Sequence, residues 1–386
     1  MINLHVYPSP ITNESRIERE VATIGSLGIF SGIEVAGVSA PGLADSQPLG
    51  DYARVRRFAA EPASHGLLAR AGKTLVFGRE VLRHYSSEPL AVINCHSVAA
   101  LPACVVLKRR TGARLVYDTH ELETETASAV GLRRLVFKAS ERWGVGDVDH
   151  TFTVSKSIED WYRANRGLTD IDTVYNFPSR AQIGRAPDKQ YFRRLFDLPD
   201  SIPIYLYQGI LAPGRGIEMV SRAFARSEVH GVIVFLGFGP LEVEVKQWAA
   251  DSPRVFFHPA VPPGELGSLT GAADVGLVLT VGSECLSHYY SAPNKLFQYW
   301  HAGIPVVASR LPEFERFMRR YPAGALSDSD SVESFVDACV ALSRQDPAEI
   351  ASGIANANRD LRWETYFDLF KRRYEQLARS TRREHE

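Results

Sequence analysis

A chain of 386 residues is too long for one ordinary hydrophobic core, so two domains are expected, each large enough to bury a core of its own. Hydrophobic residues at 45% and charged residues at 23% are globular proportions and exclude a disordered or low-complexity chain. Lys plus Arg number 44 against 45 for Asp plus Glu, and a net charge of −1 supplies no overall field to hold nucleic acid, which is excluded as a partner.

The N-terminal MINLHVYPSP opens almost at once on a short apolar strand, without the basic start and apolar core of a signal peptide. No apolar run approaches the ~20 residues of a spanning helix. The expected location is cytoplasmic, at most at the inner face of the cell membrane. Short runs rich in Val, Ile, Leu and Phe recur between longer amphipathic stretches, the pattern of a parallel sheet covered by helices on both faces. In the first half they predict strands at Asn3–Tyr7, Ile33–Val38, Ala91–Cys95, Arg114–Asp118, His150–Val154 and Thr173–Tyr175. The second half repeats the plan at Ile204–Gln208, Val232–Leu236, Arg254–Phe257, Val275–Leu279 and Pro305–Ala308. The fold class is therefore α/β, two doubly wound Rossmann-like domains facing across a cleft.

The linker NFPSRAQIGRAPDKQ at Asn176–Gln190 carries two prolines, a glycine and no apolar periodicity. It divides an N-terminal domain over residues 1–180 from a C-terminal domain over residues 185–362. A terminal amphipathic helix at Trp363–Ala378, within the segment 363–380, either closes the second domain or returns to the first. The four cysteines, Cys95, Cys104, Cys285 and Cys339, lie far apart and form no CxxC pair, so reduced thiols are expected rather than a zinc or disulfide framework.

The segment Ser291–Gly303, SAPNKLFQYWHAG, predicts a short helix with Pro293 in its first turn, Ser291 near its cap and Gly303 at its stop. Asn294, Lys295 and Gln298 share one face while Leu296, Tyr299 and Trp300 take another. A helix start presents unpaired N–H groups and a positive dipole end, and Lys295 adds a full charge, an arrangement suited to a diphosphate. The pattern alone equally describes a capped surface helix before a buried strand.

The run APNKLFQYWHAGIPVVASRLPEF resembles the donor-site block of family 4 glycosyltransferases of the GT-B fold, and the likeness extends to YQGILAPGRGIE, FLGFGP and VYDTHELE in the family's order. The resemblance implies that Arg215, beside Gly214 in the loop after a strand end, and Lys295 hold the diphosphate of a nucleotide-sugar donor. Breaking the anomeric bond leaves an oxocarbenium-like sugar and a departing diphosphate whose charge needs such a pair. Relatives carry a glutamate for the ribose hydroxyls where this chain has Gln298, an amide that accepts through oxygen and donates through nitrogen. The other acidic position of the family falls on Tyr290, next to Ser291, which blurs the identity of the sugar. The donor base is expected to be uracil or guanine.

In VYDTHELE a buried strand ends at Asp118, and Thr119, His120 and Glu121 follow at once. In the resembled family this strand end faces the donor sugar and acceptor hydroxyl, so His120, Asp118 and Glu121 are the candidate catalytic residues. Asp118 also suits a helix cap and His120 a plain loop position. Asn13, Glu14 and Arg16, after the first strand, are candidates for the acceptor side or the donor phosphate. His96 and Ser97 stand at a further strand end, and Asn176 ends the last N-terminal strand. Basic and apolar residues alternate in GLRRLVFKASERWG at Gly131–Gly144, which suits an in-plane contact with an anionic membrane or an ordinary packed helix with a solvated face.

The family implies retention of anomeric configuration, no metal and no cofactor beyond the donor, with a glycan or lipid-linked glycan acceptor in bacterial surface polysaccharide synthesis. Asp147-Val148-Asp149, Asp170-Ile171-Asp172 and Asp328-Ser329-Asp330 are short patterns that recur by chance. The rival readings are a sugar-nucleotide 2-epimerase on the same fold and a binding subunit without catalysis. A nicotinamide dehydrogenase is disfavoured because PSPITNES, not GxGxxG, follows the first strand.

Overall fold

The computed structural model describes residues 1–12, 14–59, 67–179, 188–226, 229–280, 285–328 and 331–385, with the side chains of 67–71, 263 and 382–385 left out. The chain forms two compact units, Met1–Tyr175 with Tyr366–Glu386, and Asn176–Thr365.

The first unit is built on β1 (Ile2–Val6), β2 (Gly32–Val38), β3 (Ser46–Leu49), β4 (Ala53–Phe58), β5 (Leu90–Cys95), β6 (Arg114–Thr119), β7 (His150–Thr153) and β8 (Ile171–Thr173). Their order is β3-β4-β2-β1-β5-β6-β7-β8, parallel throughout except for the antiparallel pair β3 and β4. The chain winds outward in both directions from the β1–β5 contact, so the loops that follow these two strands diverge and leave a crevice at their carboxyl ends. β5 is buried along its whole length, and β6 is buried from Leu115 to Thr119. Burial on both faces is why these strands read as near-continuous apolar runs.

The second unit carries β9 (Ile204–Ile210), β10 (Val232–Phe238), β11 (Val255–Pro259), β12 (Val275–Val278), β13 (Val306–Ser309) and β14 (Gly324–Ser327). Their order is β11-β10-β9-β12-β13-β14 and every pair is parallel. Its switch point lies between β9 and β12. The core on one side joins Tyr207, Val220, Phe224, Phe235, Leu277 and Phe335.

Three strands escape the sequence pattern. In β4, ARVRRF, three arginines in six residues mask the alternation that buries Val55 and Arg57, while β3 is a short, half-exposed edge containing Pro48. β14, GALS, is built from small residues whose hydrophobicity does not stand out. β8 falls at Ile171–Thr173 rather than Thr173–Tyr175, and the Tyr175 N–H goes instead to the Tyr366 hydroxyl at 3.0 Å.

The terminal segment is a 3-10 turn at Trp363–Tyr366 followed by a helix at Phe367–His385. The helix packs on the first unit: the Tyr374 hydroxyl donates to Asn94 Oδ1 at 2.6 Å, Thr381 Oγ1 donates to the Ala91 carbonyl at 3.0 Å, and Phe370 lies 5.2 Å from Phe152. All four cysteines are free.

Candidate active site

In the second unit the donor-type block folds as a helix at Asn294–His301. Pro293 is its N-cap, extended at φ −62° and ψ 138°, and not part of its first turn. Ser291 does not cap it either: its hydroxyl donates back to the His288 carbonyl at 2.9 Å, because the short helix Leu286–Tyr289 ends there. Gly303 takes a left-handed φ of 80°, and the N–H groups of Gly303 and Ile304 close on the carbonyls of Trp300 and Tyr299. The apolar face is anchored as its spacing predicts. Trp300 Nε1 donates to the Ala323 carbonyl at 3.0 Å, and the Tyr299 hydroxyl donates to the Leu206 carbonyl at 2.9 Å and accepts from the Gln208 N–H at 3.1 Å. Gly276 makes room for the Tyr299 ring, which a Cβ there would meet at 2.2 Å.

Anchoring that face turns Lys295 toward the end of β9. Its Nζ stands 3.9 Å from the centroid of the Tyr207 ring, and Gly209, at φ 120°, leaves space where a Cβ would come within 3.0 Å of Lys295 Cε. Burial and then the charge of Arg215 push the Lys295 ammonium down to about 7. Among the described residues neither Lys295 nor Arg215 has a carboxylate partner. Arg215 sits between Gly214 and Gly216, both with positive φ, in the turn that opens the helix Ile217–Ala225. Gln298 meets Gln208, whose amide is 2.9 Å away and also contacts the Thr270 hydroxyl at 2.7 Å. Asn294 is exposed, and Tyr290 packs edge-on to Tyr289 at 5.2 Å.

In the first unit β1, β5 and β6 carry polar residues through the core to their carboxyl ends. Arg16, from the helix Ser15–Ser26, grips Asp118 with two bonds, Nη2 to Oδ1 at 2.6 Å and Nε to Oδ2 at 3.1 Å, and donates to the Val174 carbonyl at 2.7 Å. Glu20, one turn on, is 3.0 Å from the same guanidinium. Burial opposes ionisation of Asp118, yet Arg16 and then hydrogen bonds from His120 and His96 hold it well below the usual carboxylate range. Burial and the charge of Asp118 push the Glu20 carboxyl well up.

This corrects two expectations. Arg16 is 5% exposed and Asp118 1% exposed, each committed to the other, so Arg16 does not stand ready for an acceptor or a phosphate and Asp118 does not present a carboxylate at the surface. His120 does reach out: its side chain is 21% exposed, its Nε2 lies 3.0 Å from His96 Nδ1 and 3.5 Å from Asp118 Oδ2, and its ring is 5.3 Å from that of Tyr7. Glu121 is exposed, with its backbone carbonyl accepting from the Thr119 hydroxyl at 2.5 Å. Glu14 accepts the Ser9 hydroxyl. Asn13 lies outside the described residues.

Residues 30–176 match the family described as glycosyl transferase 4-like domain, and residues 202–345 match glycosyl transferases group 1. The chain belongs to the family 4-like glycosyltransferases of the GT-B fold. A relative assigned by name to colanic acid biosynthesis, the glycosyl transferase WcaI of Escherichia coli (strain K12), is 24% identical over 254 residues. That match spans 61% of this glycosyltransferase and 61% of the relative, so the chain covers about three fifths of the relative's length. Among solved structures, sucrose-phosphate synthase from Thermosynechococcus elongatus aligns at a TM-score of 0.80 with 17% identity, over 98% of this chain and all of that one (100%). HepE of Anabaena in complex with UDP-glucose aligns at 0.71 with 13% identity, over 97% of this chain and 100% of that one.

Several residues of the glycosyltransferase sites went unseen in the sequence. His5, Glu20 and Asn94 sit inside a strand or helix where periodicity assigns only burial. Glu123 accepts from the Ser97 hydroxyl at 2.8 Å and from the Val98 N–H at 3.0 Å, and burial raises its carboxyl to about 8 despite those bonds. Ser97 was legible as a strand-end residue. Its partner, 26 positions on, was not. Gln208 and Thr270 were hidden for the same reason.

Proposed function

We propose that this glycosyltransferase moves a sugar from a nucleoside diphosphate donor to a hydroxyl of a glycan or lipid-linked glycan acceptor, with retention of configuration, in surface polysaccharide synthesis. The observation that carries the reading is the pairing of Lys295 with Arg215 beside Gly209, two cations with no carboxylate among the described residues and one held close to its neutral form by burial. Such a pair is completed by an anion. The name of the E. coli relative supports a polysaccharide setting, and the HepE complex supports a UDP-sugar as the first donor to try.

In this reading Gly214, Arg215, Asn294, Lys295 and Gln298, with Tyr290 and Ser291, belong to the donor side, residues 185–362. Residues 1–180 form the acceptor side, where His120 contacts the transferred sugar, Asp118 holds it from behind, and Glu14 and Glu121 lie toward the acceptor. The anomeric C–O bond to phosphate breaks as the C–O bond to the acceptor forms on the same face. The acceptor proton passes to the departing phosphate oxygen. Two of the Asp-x-Asp pairs, Asp147-Val148-Asp149 and Asp170-Ile171-Asp172, are poorly suited to a metal because cationic partners already hold them. Arg109 binds Asp147 at 2.7 Å, Lys108 binds Asp149 at 2.5 Å, and Arg373 binds Asp172 at 2.7 Å. Removing one charge-stabilising donor costs about 10²–10³ in rate. Lys295→Ala and Arg215→Ala should each lose that much turnover of UDP-sugar while keeping the folded circular dichroism spectrum; near-normal turnover in both would sink the assignment.

A second observation favours a peripheral place at an anionic membrane surface. The helix Gly131–Gly144 exposes Leu132, Leu135, Val136 and Trp143, with Val130 just before it, among Arg133, Arg134, Lys138 and Arg142. Its one acidic residue, Glu141, is buried against Arg166 at 2.8 Å. Apolar side chains amid basic ones suit an in-plane contact with anionic lipid headgroups. Among the described residues no helix is long and apolar enough to cross a membrane.

A further inference from the structure

In the second unit three neutral side chains stand in a line behind the helix Asn294–His301. Thr270 and Gln208 are each 1% exposed, and Gln298, half-buried, forms the outer end. The amides of Gln208 and Gln298 meet at 2.9 Å, and the Thr270 hydroxyl lies 2.7 Å from the far end of the Gln208 amide. The Gln208 N–H donates to the Tyr299 hydroxyl at 3.1 Å, which fixes the backbone that carries this side chain. One end of the Gln298 amide is thereby held, and the other has no side-chain partner among the described residues.

The Thr270 hydroxyl has one proton and two takers, Gln208 and the Leu266 carbonyl, each at 2.7 Å. If Gln208 takes it, Gln298 turns its NH2 outward; if the carbonyl takes it, both amides reverse and Gln298 turns its oxygen outward. In either arrangement the outward group is uncharged. A hydrogen bond between neutral groups is worth about two- to tenfold in affinity, and one to an ionised group about ten- to a hundredfold.

The helix places that outward group. Gln298 lies on the same face as Lys295, about 4.5 Å further along the axis and away from the exposed helix start at Asn294. A donor whose diphosphate sits on Lys295 keeps its transferable sugar at the open end, so the part that lies inward is the ribose. We propose that Gln298, backed by Gln208 and Thr270, contacts the ribose and that its uncharged grip makes the site tolerant of a missing 2′-hydroxyl. The donors it takes then include sugars carried on 2′-deoxyribonucleoside diphosphates as well as on ribonucleoside diphosphates. This rests on the reading that Lys295 and Arg215 hold a nucleoside diphosphate.

The test is calorimetry on the full-length protein with UDP, 2′-deoxy-UDP and 2′,3′-dideoxy-UDP, the matching guanosine series being run in parallel and each comparison made within the series that binds. Wild type should hold the ribo and 2′-deoxy forms within about tenfold of one another. Gln298→Ala should weaken the ribo form by about two- to tenfold and leave the dideoxy form unchanged. Gln298→Glu, whose carboxylate can still accept from Gln208, should widen the preference for the ribo over the 2′-deoxy form beyond about tenfold. A wild-type preference already beyond that, equal weakening of the ribo and dideoxy forms by Gln298→Ala, or a preference that Gln298→Glu leaves unchanged overturns the proposal. Binding of no nucleotide in either series removes the donor reading and this proposal with it, whereas nucleotide binding that Lys295→Ala abolishes, with a wide wild-type preference, removes the proposal alone.

Discussion

Lys295 holds its ammonium 3.9 Å from the centroid of the Tyr207 ring, a contact between a half-buried cation and an aromatic face without a carboxylate in reach among the described residues. Its pKa falls from 10.5 to about 7. Between those values the unfolded chain keeps the proton and the folded chain releases it, so this group adds stability as pH rises from about 7 toward 10.5 and none below. A bound diphosphate reverses the preference. At pH 8, UDP binding should therefore take up a proton, as much as about one per site, seen as a binding heat that varies with the ionisation enthalpy of the buffer. Buffer-independent heat, or the same uptake in Lys295→Ala, would count against this account.

Arg16 and Asp118 form a buried ion pair, and breaking such a pair by removing one partner costs about 3–5 kcal/mol because the other charge is left uncompensated. Arg16→Gln should lower the denaturant midpoint accordingly, and Arg16→Gln with Asp118→Asn should recover much of the loss. Additive losses in the double variant would mean the pair does not act as a unit.

Glu123 has its carboxyl raised from 4.5 to about 8 by burial. Over that window the folded state keeps a proton that the unfolded state has lost, so stability falls as pH rises from about 4.5 through about 8 and is level above. Glu123→Gln, with an amide that still accepts from Val98, should flatten that slope and raise the melting temperature at pH 8 relative to wild type. An unchanged slope refutes it.

The helix Gly131–Gly144 should carry vesicle binding. Leu132→Asp with Leu135→Asp should abolish co-sedimentation with vesicles containing phosphatidylglycerol while turnover of soluble UDP-sugar stays within about twofold, since burial of each such side chain is worth roughly 1.5–3 kcal/mol. Wild-type binding that is as strong to neutral vesicles would remove the charge from the argument.

The legible part of the fold followed from periodicity. Runs such as LAVINC and VIVFLGF announce strands covered on both faces, and their spacing announces parallel sheets. β3, β4 and β14 were lost where arginines, a proline or small residues blurred that contrast. In the donor-type block the polar and packing faces were readable because helical geometry sets both from spacing alone, yet Ser291 and Pro293 took other places because a second short helix ends immediately before.

By itself the sequence determined the architecture of each unit, the family, and the strand-end positions where chemistry gathers, because local periodicity and motif order are properties of neighbouring residues. Tertiary structure alone decided which of those residues are free. Arg16 and Asp118 stand 102 positions apart, and His5 and His96 stand 91 apart. Whether a charge is paired or a ring nitrogen bare depends on partners brought by other strands, and no local spacing records them.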